Sequence, residues 1–169
     1  ILTEYDRDRR WRTSWRTSLL DASNREELWS LSVNDAYNDP GDLVYETLPD
    51  GTSVVRERDG IWFLTGRGAT AEGDRPFLTA FHPGDGISVE VHRCGVDAFE
   101  TFLGFSHEED LILSRQDPAT PPNLWLNGRN LTGFVDPHPD LTGMHRELVR
   151  YKRSDGVQLT GTLFLPPGH

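Results

Sequence analysis

Residues 61–93 read IWFLTGRGATAEGDRPFLTAFHPGDGISVEVHR, and three short apolar runs inside them decide the fold class. Ile61, Trp62, Phe63 and Leu64 form the first; Phe77, Leu78 and Phe81 form the second. In the third, Ile87, Val89 and Val91 alternate with Ser88, Glu90 and His92. Runs of this length, closed by Gly, Asp and Pro and alternating with a period of two, are the pattern of short antiparallel strands. The pattern continues on both sides. Toward the C-terminus come Phe99, Phe102, Leu103 and Phe105, then Leu111 to Leu113, Leu124 to Leu126, and Leu131 with Phe134. Toward the N-terminus a further unit runs from Leu2 through a strand around Leu28 to Val33. Residues 21–28 hold Ser23 and Glu26 at the spacing of a helix capping box, but between two strands they read as a loop.

A four-stranded propeller blade takes about 40 to 50 residues. One such unit fits Leu43 to about Arg93 and a second fits Phe99 to about Val135. The expected architecture is therefore all-β: antiparallel four-stranded blades of a partial β-propeller. Residues 1–42 would be a partial blade and connection, 43–97 and 98–136 two blades, 137–146 a linker and 147–169 a final hairpin. A two-sheet sandwich has similar strand spacing. Sixteen glycines and eleven prolines against one methionine agree with many turns and little helix.

Charge and cysteine usage exclude several functions. The 17 basic and 27 acidic side chains leave a net charge of -10, which repels nucleic acid and an anionic membrane surface. Arg7, Arg9, Arg10, Arg12 and Arg16 crowd around Trp11 and Trp15, a mixture found in single-strand binders. At strand spacing it reads instead as an outer strand with one solvated and one buried face. Cys94 is the only cysteine, so neither an internal disulfide nor a zinc-thiolate motif can form; the reading leans toward the cytoplasm. No run of about eighteen apolar residues occurs. The chain opens on Ile1 with no charged or apolar leader, as expected of a sequence that lacks its natural start.

Residues 147–169, ELVRYKRSDGVQLTGTLFLPPGH, predict a hairpin: Leu148, Val149 and Tyr151, a turn at Ser154 to Gly156, then Val157, Leu159, Leu163 and Leu165. This segment resembles the opening of the α/β-hydrolase domain in serine peptidases of the prolyl oligopeptidase family, in the acylaminoacyl-peptidase-like and glutamyl-endopeptidase-like branch. Two further stretches resemble the same branch. TGRGATAEGDRPFLTAF at 65–81, with NDPGDLVYE at 38–46 ahead of it, is similar to a link between two strands of a late blade. There Gly66, Gly68 and Gly73 suit tight turns and Asp74 is expected to pair with Arg75. SRQDPATPPNLWL at 114–126 resembles a Pro-Pro-Asn turn between blade strands, although Gln116 and Asp117 depart from the family's Glu-Ser pair. Together these resemblances span roughly residues 35–169. They imply the end of a propeller joined to the start of a hydrolase, with the rest of the same polypeptide as partner and short peptides as substrates of the intact enzyme.

In that family the nucleophile sits in a G-x-S-x-G elbow and the triad follows in the order Ser, Asp, His. Ser14, Ser18, Ser30, Ser32, Ser53, Ser88, Ser106, Ser114 and Ser154 all lack the flanking glycines, so no catalytic residue is assigned and the triad is expected downstream. No cofactor and no metal is expected either. His107 with Glu108, Glu109 and Asp110 lacks the second histidine of a zincin, since position 111 is Leu. His138 and His145 with Asp136 or Asp140 have no regular element to hold them. Asp35, Asp39 and Asp42 with Asn34 and Asn38 lack the glycine and terminal glutamate of a calcium loop. The glycines of GRGATAEG lack the Lys-Ser/Thr pair of a phosphate loop.

The resemblance implies a non-catalytic propeller that gates substrate access and docks against the catalytic domain. A second reading is a free-standing β-rich module for protein or carbohydrate, with Trp11, Trp15, Trp29, Trp62 and Trp125 as stacking faces, although their apolar surroundings place most of them in the core. A third is an oligomerising fragment whose open blades expose apolar faces.

Overall fold

The computed structural model describes residues 1–21, 23–141 and 143–168, so Ala22 of the expected loop, Thr142 of the linker and His169 lie outside the described residues. Among the described residues the chain is all-β, with antiparallel sheets of a few strands each and a single 3-10 turn at Pro139–Leu141. That architecture is compatible with a partial propeller. Two compact units divide it, Ile1–Cys94 and Gly95–His169.

In the first unit, β1 (Leu2–Asp6), β2 (Trp11–Thr17) and β3 (Arg25–Ser32) make an antiparallel sheet of three strands. Strand β3 begins at Arg25, so Arg25 to Leu28 belong to sheet and not to the expected loop. Their side chains pair across the ladder: Arg16 with Glu26 to β2, and Arg25 with Glu4 to β1 at 2.9 Å. Next come β4 (Asp42–Leu43), β5 (Tyr45–Thr47), β6 (Ser53–Val55), β7 (Glu57–Arg58), β8 (Ile61–Gly66), β9 (Ala69–Thr70), β10 (Gly73–Asp74), β11 (Phe77–His82) and β12 (Ile87–Arg93). The main sheet runs β12-β11-β8-β4, with β7 also on β8, while β5-β6 and β9-β10 are small separate hairpins. Asp59 and Gly60, both with positive φ, turn β7 into β8 as a two-residue hairpin requires.

The apolar run of β8 explains where the core sits. Alternation puts Trp62 and Leu64 on one face, opposite Phe81 and Thr79 of β11. Trp62, Leu64 and Phe81 are buried, and Leu28, Trp29, Leu43 and Val55 pack against them. Trp29 meets Phe81 edge-on at 5.6 Å, so β3 covers this face. Each such side chain contributes on the order of 1.5–3 kcal/mol by leaving water. Of the five tryptophans Trp62 alone is buried; the other four are half-buried, so the core takes fewer of them than their surroundings in sequence suggest.

Beside the core, Glu46 accepts from Arg56 at 3.3 Å and from Arg58 at 2.9 Å, tying β5 to the β6-β7 segment. In the β8-β11 connection Asp74 pairs with Arg67 at 2.7 Å, not with Arg75. Arg75 instead donates to the Cys94 carbonyl at 3.4 Å. Successive residues in a strand point to opposite faces, whereas the register Asp74↔Ala69 sets Asp74 beside the segment carrying Arg67.

In the second unit, β13 (Phe99–Phe105), β14 (Leu111–Asp117), β15 (Thr120–Leu126) and β16 (Arg129–Asn130) form a four-stranded antiparallel meander. Asn127 and Gly128, both at positive φ, make the β15-β16 turn. The Pro-Pro-Asn stretch lies within β15 and not in a turn. Its two prolines fall where the β14-β15 register shifts between Arg115 and Asp117, a bulge that needs no donor from them. Arg115 stacks over Trp125 at 5.0 Å and donates to Glu100 at 3.3 Å.

Strands β17 (His145–Lys152) and β18 (Gln158–Leu165) form a hairpin in a sheet of its own. Its register separates two faces. His145, Glu147, Val149, Tyr151, Leu159, Leu163 and Leu165 share one, and Arg146, Leu148, Arg150 and Lys152 share the other with Gln158, Thr160, Thr162 and Phe164. No helix among the described residues is long and apolar enough to cross a membrane.

Candidate functional site

Several of the residues weighed for chemistry lie in turns or ladders held by local hydrogen bonds. His107 is exposed in the β13-β14 turn, where the Ser106 hydroxyl accepts the N–H groups of Glu108 and Asp110, both at 3.1 Å. His138 donates its backbone N–H to Asp136 at 2.7 Å, and His145 contacts Glu147 at 3.4 Å. Ser14, the buried serine, meets Thr3 across the β1-β2 ladder at 3.3 Å. Among the described residues no three His, Cys, Asp or Glu side chains gather as metal ligands.

The acidic loop 34–42 divides its carboxylates between separate tasks. Asp39 pairs with Arg12 at 3.3 Å and accepts the Gly41 N–H at 3.1 Å, which pins the loop to β2. Asp35 accepts from the Asn38 side-chain amide at 2.8 Å and from its backbone N–H at 3.2 Å. Those bonds, the side-chain one foremost, hold the Asp35 carboxyl below its ordinary range and keep it ionised.

Pinned in this way, the loop forms one wall of an open groove of about 310 Å³. Asp35, Asn38 and Pro40 line the groove together with Trp11 of β2 and Trp29 and Leu31 of β3, and the register puts Trp11 on the sheet face of Ser30 and Ser32 and Trp29 with Leu31 on the other. Ser30 and Ser32 complete the lining, and Ser30 accepts the Trp11 indole N–H at 2.7 Å. A cleft of this volume lies at the low end of small-ligand sites. Its components were visible in the sequence as separate features, a basic-aromatic strand and an acidic loop. Their meeting depends on the β2-β3 register and the Arg12–Asp39 pair, which no local pattern announces.

No protein-family model matches the chain, and no solved structure matches it. Among curated proteins it is similar to one of Arabidopsis thaliana named "Probable glutamyl endopeptidase, chloroplastic", with 33% identity over 165 residues, 84% of this chain and 17% of that protein. It is similar also to one of the same name in Oryza sativa subsp. japonica, with 30% identity over 164 residues, 84% of this chain and 18% of that protein. The chain thus spans less than a fifth of the length of these relatives. The likeness relates this all-β chain to proteins named as peptidases.

Proposed function

We propose that the chain is a non-catalytic propeller portion of a serine-type peptidase of the prolyl oligopeptidase family. In this reading the sheets help to cap the active site of the intact enzyme, admit short peptides and exclude bulky ones, while β17-β18 begins an α/β-hydrolase domain. The observation that carries it is the β17-β18 hairpin in a sheet of its own, with a largely apolar face of Val149, Tyr151, Leu159, Leu163 and Leu165 and with Leu148 and Phe164 exposed on the other side. An isolated two-stranded hairpin is marginal in water, so such a face calls for a larger sheet or core to pack against. The likeness to much longer proteins named as endopeptidases supports the same reading.

Acyl transfer would be performed by a serine, histidine and aspartate elsewhere in the polypeptide. Backbone donors would stabilise the oxyanion there. The 169-residue chain alone should then leave short peptides uncleaved. The intact polypeptide should cleave them, lose that activity to a fluorophosphonate, and act poorly on a folded protein. Fluorophosphonate-sensitive turnover by the chain alone would overturn the proposal, as would an intact polypeptide indifferent to the reagent.

A further inference from the structure

We propose that the chain pairs with a second copy of itself through the free edge of β18, joining two β17-β18 hairpins into one antiparallel sheet. The inference concerns this chain by itself and does not rest on the peptidase reading. Among the described residues β18 pairs only with β17, so its other edge is open. The two edges of the hairpin are unlike. β17, HRELVRYK, carries Arg146, Glu147, Arg150 and Lys152, side chains of the kind that guard a strand against further pairing. β18, QLTGTLFL, carries no charge and no proline. A sheet of two strands is marginal in water, so the unguarded edge is where further strands add stability.

The ladder fixes which backbone groups that edge presents. The Arg153 N–H bonds the Val157 carbonyl at 2.9 Å, and the unbroken register carries the alternation onward: Tyr151↔Leu159, Val149↔Gly161, Glu147↔Leu163 and His145↔Leu165 are the hydrogen-bonded pairs. Gln158, Thr160, Thr162 and Phe164 therefore turn their N–H and C=O groups outward. A two-fold axis through Thr162 makes these groups self-complementary. Thr162 then exchanges both backbone bonds with Thr162 of the second copy, and Thr160 does so with Phe164 in each direction. In the same register Leu159 lies opposite Leu165 of the second copy and Leu163 opposite Gly161. Like faces join, and Val149, Tyr151, Leu159, Leu163 and Leu165 of both copies make one largely apolar surface. The charged β17 strands end outermost, which stops growth at the dimer.

The test is sedimentation equilibrium of the full chain over a wide concentration range, beside amide hydrogen exchange. A monomer–dimer equilibrium is expected, in which the amides of Thr160, Thr162 and Phe164 slow as the dimer fills while those of Leu148 and Lys152 on the outer edge do not. Leu148 and Thr162 face each other across the hairpin, and neither N–H serves its ladder, so a proline at either position costs the hairpin alike. Thr162→Pro should weaken dimerisation at least about tenfold, since each copy loses a bond, whereas Leu148→Pro should leave it unchanged. Thr162→Lys sets like charges opposite each other on the axis and should weaken it as much, which keeps the test valid if the proline variants fail to fold. A wild type that stays monomeric at its highest concentration would overturn the proposal. So would an assembly larger than a dimer, equal weakening by Leu148→Pro, or a Thr162→Lys dimer as tight as the wild type.

Discussion

Asn123 holds both backbone polar groups of Phe134: its Oδ1 accepts the Phe134 N–H at 2.6 Å, and its Nδ2 donates to the Phe134 carbonyl at 3.1 Å. The same side chain donates to the Pro121 carbonyl at 2.9 Å and accepts the Thr132 hydroxyl at 2.8 Å. At 1% exposure it fastens the segment after β16 back onto β15.

Replacing Asn123 by Ala should therefore destabilise the second unit by about 2–4 kcal/mol, since several buried partners lose their bonds at once. Asn123→Asp should cost at least as much, because a carboxylate would face the Pro121 and Phe134 carbonyls in place of a donor. Urea unfolding measures both; a loss below about 0.5 kcal/mol would show that the fastening contributes little.

Gly68 sits at φ 59°, and a Cβ there would lie 2.1 Å from the Arg75 carbonyl oxygen. That oxygen belongs to backbone whose own N–H bonds the Gly68 carbonyl at 2.8 Å, so neither side can easily withdraw. Gly68→Ala should cost more than about 2 kcal/mol. Gly51→Ala, at φ 86° with open space around it, should carry only the conformational cost of about 1 kcal/mol. Equal thermal shifts for the two variants would refute the steric account.

Leu64 is 1% exposed at the centre of the first core. Truncation to Ala should lower stability by about 2–5 kcal/mol, through lost burial and the cavity left behind. Chemical denaturation should show this as a lower midpoint at unchanged slope.

The hydrogen bond from Arg58, then the charges of Arg58 and Arg56, hold the Glu46 carboxyl below its ordinary 4.5. Depression in the folded state means that the stabilisation is fully present above the unfolded value and fades as pH falls through the folded one. Glu46→Gln should lower the melting temperature at pH 7, and the gap to wild type should shrink as pH falls below the ordinary carboxyl value and close once it has passed the depressed one. A gap that stayed constant from pH 7 to strongly acidic conditions would exclude this linkage.

The all-β architecture was legible because the determinants of β8, β11 and β12 are local: apolar runs of strand length, bounded by Gly, Asp and Pro. Finer features were not legible because their causes are distant in sequence. Glu26 carries a capping-box spacing with Ser23, but cross-strand pairing with Arg16 puts it in β3. Pro121 and Pro122 look like turn residues, yet a bulge in the β14-β15 ladder accommodates them inside a strand. Asp74 found Arg67 and not its neighbour Arg75 because the β9-β10 register sets the geometry. The groove likewise required Trp11, Trp29 and Asp35 to meet from three separate segments.

Cys94, the sole cysteine, is 2% exposed, and its backbone N–H bonds the Pro76 carbonyl at 2.8 Å. A thiol reagent can reach its sulfur only when that corner opens, so the rate of disulfide exchange with a chromogenic reagent reports the opening directly. The chain carries a built-in clock for its local breathing, readable without any engineered label.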